Sequence, residues 1–160
     1  MAKTYRITFG VRVSNAIVTA LLRVGVKLRA PGGFGVMTLL TVRGRKSGVP
    51  RTIPVVMGEQ GGQRWLVSPF GEVNWARNLR AAGEGIVTRG RRAETISVVE
   101  LSASEAAPVL KHLLPKAPSV IRSYFEVTSA SPLEDFEREA PRHPVFLVRH
   151  AAGSFGDGGG

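Results

Sequence analysis

The apolar positions of the chain follow two rhythms, and the change between them falls at Pro31-Gly32-Gly33. Ahead of that break, Ile17, Leu21, Val24 and Leu28 share one face on a helical period, while Arg12, Arg23 and Lys27 gather within about 60° of one another. This spacing predicts a basic amphipathic helix over Val11 to Ala30. Its charges exclude a membrane span, which needs about 20 nearly uncharged residues. The apolar face packs on the domain or on a second subunit, or it lies on an anionic leaflet. Beyond the break, short β-rich runs are separated by Gly and Pro. Val36 to Val42, Thr52 to Met57 and Arg64 to Val67 read as strands, the last two joined by a Gly58 to Gly62 turn. Ile86 to Thr88, Thr95 to Leu101 and Val145 to Val148 read as further strands.

Helical spacing returns at Asn74 to Ala82, where Trp75 and Leu79 stand a turn apart and Gly83 is placed as a stop. Ser102 to Leu114 predicts another helix, with Ser102 or Ser104 as N-cap and Pro115 behind it. Pro118 to Glu126 and Pro132 to Glu139 predict two more. Strands in clusters, with helices inserted between and after them, do not alternate as βαβ units would. The short Gly-rich link between the second and third strands demands antiparallel pairing. The expected class is therefore α+β, a small antiparallel β-barrel over residues 33–150 with peripheral helices, preceded by the amphipathic helix in residues 1–32. The tail, residues 151–160, has five glycines in its last eight positions and is expected to be disordered.

Composition narrows the chemistry. The 160 residues include 22 Lys plus Arg against 12 Asp plus Glu, a net charge of +10. A chain of this size buries about 68–70% of its unfolded surface, so one core suffices. The absence of cysteine excludes a disulfide scaffold, a thiolate nucleophile, a thiolate zinc site and an iron–sulfur cluster. Three scattered histidines give no metal-ligand spacing, and no metal is expected. The charge calls for an anionic partner: nucleic acid, an acidic membrane surface, or a ligand bearing phosphate and carboxylates. Aromatic residues make up only 7% of the chain and none interleaves with its basic turn, so nucleic acid is not expected. Met1 to Gly10 carries no apolar core ahead of a small-residue cleavage site, which points to the cytoplasm, at the inner membrane face if the helix takes the leaflet.

The most chemically loaded segment is Arg43-Gly44-Arg45-Lys46-Ser47-Gly48-Val49-Pro50-Arg51, with four cations in nine residues around two glycines and a proline. Glycines let backbone N–H groups converge on an oxyanion, Ser47 adds a hydroxyl, and Arg45, Lys46 and Arg51 add charge-assisted bonds. A solvated basic hairpin would carry the same residues. Neither a dinucleotide fingerprint nor a Walker loop is present, because Lys46 lies between Gly44 and Gly48 rather than after them. Downstream, Leu66-Val67-Ser68-Pro69-Phe70-Gly71 ends a strand in a turn, and Asn74-Trp75-Ala76-Arg77-Asn78-Leu79 opens a helix.

The succession G-R-K-S-G-x-x-R-x-x-P, a strand ending V-x-S with a Gly-containing turn, and W-x-x-N-L resembles the deazaflavin-dependent nitroreductase family, whose members bind coenzyme F420 in a split β-barrel. The likeness runs in order from Val36 to Val148. It implies that Arg45, Lys46, Ser47 and Arg51 hold the phosphate and the start of the oligoglutamate tail. By the same resemblance, Thr52, Ile53, Pro54, Val55 and Val56 run beneath the deazaflavin and its ribityl chain. Leu66, Val67, Ser68 and Pro69 meet the ring system, and Asn74, Trp75, Ala76, Arg77 and Asn78 close its other side. A polyanionic cofactor would also account for much of the positive charge.

The activity implied is hydride transfer from reduced F420 to an electron-poor small molecule such as a quinone, a nitroaromatic or a conjugated lactone. Ser68 is the implied catalytic donor, its hydroxyl polarising or relaying beside the ring, with Tyr124 as a second candidate. Phe70-Gly71 and Asn74 depart from the paired glycines and the proline common in the family, and Pro118 to Tyr124 carries a single Tyr where members can be tyrosine-rich. Acceptor preference therefore does not carry over. Two alternatives stand beside this reading: an FMN-dependent enzyme on the same barrel, which would need fewer cations, and a non-enzymatic module binding a cofactor or a membrane. Small split barrels often pair, and a homodimer is compatible with the chain. His112 and His143 are assigned no role.

Overall fold

The computed structural model describes residues 15–19, 22, 33 and 35–150. Of the Val11 to Ala30 helix, residues 15–19 and 22 are described and are helical; the remainder, the disordered-tail expectation for 151–160 included, lies outside the described residues. Ile17 is exposed while Leu22 is buried. Among the described residues no helix is long and apolar enough to cross a membrane.

Strand residues alternate between two cores. In β1, Val36–Arg43, Leu40 and Val42 turn inward, and β2, Pro50–Gln60, answers with Val55 and Met57. β3, Gln63–Val67, splits its apolar residues: Leu66 faces the barrel, Trp65 and Val67 face outward. With β4, Glu84–Arg89, β5, Arg92–Glu100, and β6, Val145–His150, the sheet closes as β1-β2-β3-β6-β5-β4, every neighbour antiparallel. The outward face of β3 and β6 is covered by α2, Ala103–Leu113, and α4, Leu133–Glu139, around Leu110 and Phe136. Helix α1, Asn74–Ala82, instead plugs the barrel with Ala76 and Leu79. The expected antiparallel barrel with peripheral helices is thus the fold of the chain.

Two boundaries differ from expectation. Gly58, Glu59 and Gln60 pair with Trp65, Arg64 and Gln63, so the turn shrinks to Gly61-Gly62, whose φ values of 59° and 79° suit a tight hairpin open to glycine. The expected helix over Pro118 to Glu126 is a single turn, α3, Ser119–Arg122. Its continuation is diverted because Tyr124 packs edge-on against Phe70 and Phe125 stacks on His143 at 3.7 Å. Gly83 ends α1 at φ 70°, and Ser102 caps α2 in a reciprocal box with Glu105, both as the sequence predicts.

The barrel is closed but unevenly laced. β2 pairs with β3 only from Met57 onward, so residues 50–56 have β1 on one side and, among the described residues, no strand on the other. Pro54 belongs to this open-edged stretch, the setting in which a missing N–H is tolerated. β3 meanwhile ends at Val67 and its chain turns away toward α1. The divergence leaves a slot between the β2 edge and the turn after β3.

Candidate functional site

The slot is a cleft of about 460 Å³. One wall is Ile53, Pro54, Val55 and Val56 of β2, with Arg51 at its end; the facing wall is Val67, Pro69, Phe70 and Val73, and Asn74, Trp75 and Asn78 enter from α1. Met37 and Val42 of β1, Ile121 of α3, and Asn15 and Val18 of the N-terminal stretch complete the lining. Ten of the residues singled out from sequence therefore meet around one cavity.

The basic turn stands beside it, folded by its own backbone. Gly44 N–H donates to the Val49 carbonyl at 2.9 Å and Gly48 N–H to the Gly44 carbonyl at 2.9 Å, with Gly48 at φ 69°. Ser47 Oγ accepts the Val49 N–H at 3.2 Å, and a Cβ on Gly44 would lie 2.7 Å from that oxygen, so a side chain there would displace the Ser47 hydroxyl. Asn78 anchors the turn to α1. Its buried Oδ1 accepts the Arg45 backbone N–H at 3.1 Å and the Arg45 guanidinium at 2.7 Å. Arg45 is thereby tied to the helix, and it, Lys46, Ser47 and Arg51 are all exposed.

Other predicted residues serve the frame. Thr52 shares a 2.7 Å hydroxyl bond with Thr41, Leu66 and Ala76 are fully buried in the barrel core, and Arg77 approaches Glu72 at 3.9 Å. Glu72 also receives Arg80, which bridges it to Glu100 at 2.6 Å on each side and ties the turn after β3 to β5. The Arg80 guanidinium holds the Glu72 carboxyl below the usual carboxylate range. Trp75 backs onto Phe146, ring centroids 6.2 Å apart.

Ser68 does not line the cleft. It is fully buried, its hydroxyl donates to the Gly71 carbonyl and its N–H to the Pro144 carbonyl at 2.9 Å. Its donor is spent on shaping the turn that presents Pro69 and Phe70. Tyr124 also stands off the lining, 4.9 Å from Phe70 in a T-shaped contact. Asn15, Val18, Met37, Val42, Phe70, Val73 and Ile121 were not expected at the site from sequence; Phe70 lay within the strand-end motif and Ile121 within the Pro118 to Tyr124 stretch, which gave those two a local signal. No cluster of metal-ligating side chains occurs among the described residues.

A sequence model of the F420H(2)-dependent quinone reductase family matches residues 10–131. The chain belongs to that family. It is an F420H2-dependent reductase, and reduced coenzyme F420 is the cofactor of the family. No curated protein matches the reductase in sequence. Among solved structures, an F420-H2 dependent reductase (FDR-A) aligns at 24% identity and a TM-score of 0.43, covering 71% of this chain and 93% of that one. A protein solved as a domain-swapped dimer aligns at 20% identity and a TM-score of 0.46, covering 89% of this chain and 100% of its own. A pyridoxamine 5'-phosphate oxidase-related, FMN-binding protein from Nostoc punctiforme aligns at 14% and 0.47, covering 84% and 78%.

Proposed function

We propose that the cleft of this reductase holds F420 with its phosphate and oligoglutamate chain on Arg45, Lys46, Ser47 and Arg51, and that the acceptor is a planar quinone-like molecule. The observation that carries the reading is an apolar cleft ending on Arg51 beside a cation-bearing turn. The donor set suits the group. Ile53, Val55, Val56 and Trp75 offer a flat apolar slot to a fused ring, and the turn offers cations and a hydroxyl to phosphate.

Bound reduced deazaflavin supplies the hydride. The chain's own work is positional: the β2 edge and Trp75 would hold the ring, and Phe70 and Ile121 would keep water out of the cleft beside it. Ser68 acts through the turn and Tyr124 through Phe70, each setting the wall against which an acceptor lies. A quinone is favoured over more polar acceptors because Val18, Phe70 and Ile121 make that wall apolar, with Asn15 as its polar member.

Titration followed by tryptophan fluorescence tests the reading. Trp75 lines the cleft whereas Trp65 is buried in the outer core, so F420 should quench a signal that Trp75→Phe abolishes, and FMN should not. A response to FMN alone would move the chain to flavin chemistry. Peripheral contact with an anionic leaflet belongs to the same proposal and is supported by Ile17, 56% exposed on the helical residues 15–19. Vesicles containing anionic lipid should co-sediment the protein and neutral vesicles should not; equal recovery in both supernatants removes this part.

A further inference from the structure

Behind the cleft wall lies a buried ionisable pair that the hydride chemistry does not use. His143 and Glu139 each have a side chain only 3% exposed, with His143 Nε2 2.9 Å from Glu139 Oε1. On its other side, His143 Nδ1 is 2.8 Å from the carbonyl oxygen of Pro69, a residue of the cleft lining. We propose that His143 is a positioning residue of the cleft, holding the Pro69–Phe70 wall, and that the His143–Glu139 pair must carry a second proton to do so. The first half of this rests on the F420 reading of the cleft.

The argument is a count of donors. A carbonyl only accepts, so the Pro69 contact requires a proton on Nδ1. A neutral imidazole then has a bare Nε2, which would face a carboxylate lone pair unless a proton lies between them. Either the ring is doubly protonated opposite a carboxylate, or Glu139 is protonated and donates to Nε2; in both forms the pair holds two protons. The surroundings accept this neutral pair. Glu139 Oε1 takes the Glu126 N–H at 3.1 Å, Oε2 takes Arg142 Nη2 at 3.0 Å, and Arg142 is itself paired with Glu126 at 3.0 Å. Phe125 covers the ring face and brings no charge. Burial holds the His143 imidazole below its ordinary pKa, outweighing the pull of Glu139 and the Pro69 carbonyl, and the nearby Arg142 cation pushes the same way.

The sign follows. As pH rises the pair loses its second proton, and the remaining N–H stays with the carboxylate, the stronger acceptor. Nδ1 then turns a lone pair on the Pro69 carbonyl, and the wall is released. Affinity for F420 should therefore fall with rising pH.

The test begins with the free protein labelled with nitrogen-15. At neutral pH the His143 Nδ1 should be protonated, and on deprotonation the ring resonances of Phe70 should move with the same midpoint. An unprotonated Nδ1 at neutral pH, or a still Phe70, overturns the proposal without any ligand. With F420, the wild-type dissociation constant should rise about fivefold through that titration, the worth of one hydrogen bond. Glu139→Gln, whose amide donates to Nε2 and leaves Nδ1–H on Pro69 while giving up the bond from the Glu126 N–H, should flatten the profile and keep binding near the tight value. An equally steep profile in Glu139→Gln overturns the role of the pair. Failure of the wild type to bind F420 at any pH would overturn the cofactor reading alone, since the free-protein resonances decide the proton and the wall.

Discussion

Replacing Lys46 and Arg51 together by alanine should weaken F420 binding on the order of 100-fold and leave the thermal midpoint nearly unmoved. Each side chain is exposed and lies beside or on the rim of the cleft, so neither supports the core. A hydrogen bond to a charged group contributes about 1.5–3 kcal/mol, and solvent exposure draws each of these toward the lower end. Two losses of ~1.4 kcal/mol make the two decades. Salt supplies an internal control: screening should weaken the wild type markedly and the double variant little. An unchanged dissociation constant would place the phosphate elsewhere and sink the assignment of the turn. Arg45 is the wrong residue for this experiment, because its bonds to Asn78 make it part of the frame.

Phe146→Ala should produce the largest loss of stability. The ring is fully buried at the centre of the barrel core. Removing a buried Phe costs about 3–5 kcal/mol, the transfer of the side chain plus the cavity left behind. Against a total of about 5–15 kcal/mol, that is roughly a fifth or more of what holds a domain together. Because Trp75 backs onto this ring, its fluorescence response to F420 should weaken even where the variant stays folded. Denaturant unfolding with Val49→Ala as control separates the effects, since Val49 is 56% exposed and its loss should be silent. A Phe146→Ala midpoint equal to the control would mean that the barrel interior repacks freely.

Much of the fold was legible because local signals and burial agree in it. The short apolar runs of β1 and β3, Gly83 as a helix stop and Ser102 as a cap each encode their structure within a few residues. The basic turn was visible through residue types that chemistry singles out, and the Ile53 to Val56 wall through the family resemblance. What escaped depends on contacts distant in sequence. The helix expected through Glu126 is undone by rings that pack against Phe70 and His143. Ser68 looks like an available hydroxyl in sequence, yet the turn consumes its donor on Gly71. Asn78 looks like helix-surface polarity until the fold brings Arg45 to it, and His143 looks idle until Pro69 arrives from 74 residues away.

The open edge of β2 has a consequence beyond ligand entry. A strand edge free to receive a small molecule is equally free to receive a strand of another molecule, the first step of ordered aggregation. The stretch that lacks a strand neighbour among the described residues carries its own guards: Pro50 and Pro54 each remove a ladder donor, and Arg51 sets a charge where an incoming chain would have to dock. The residues that border the slot are in this way also the ones that oppose strand addition at its edge.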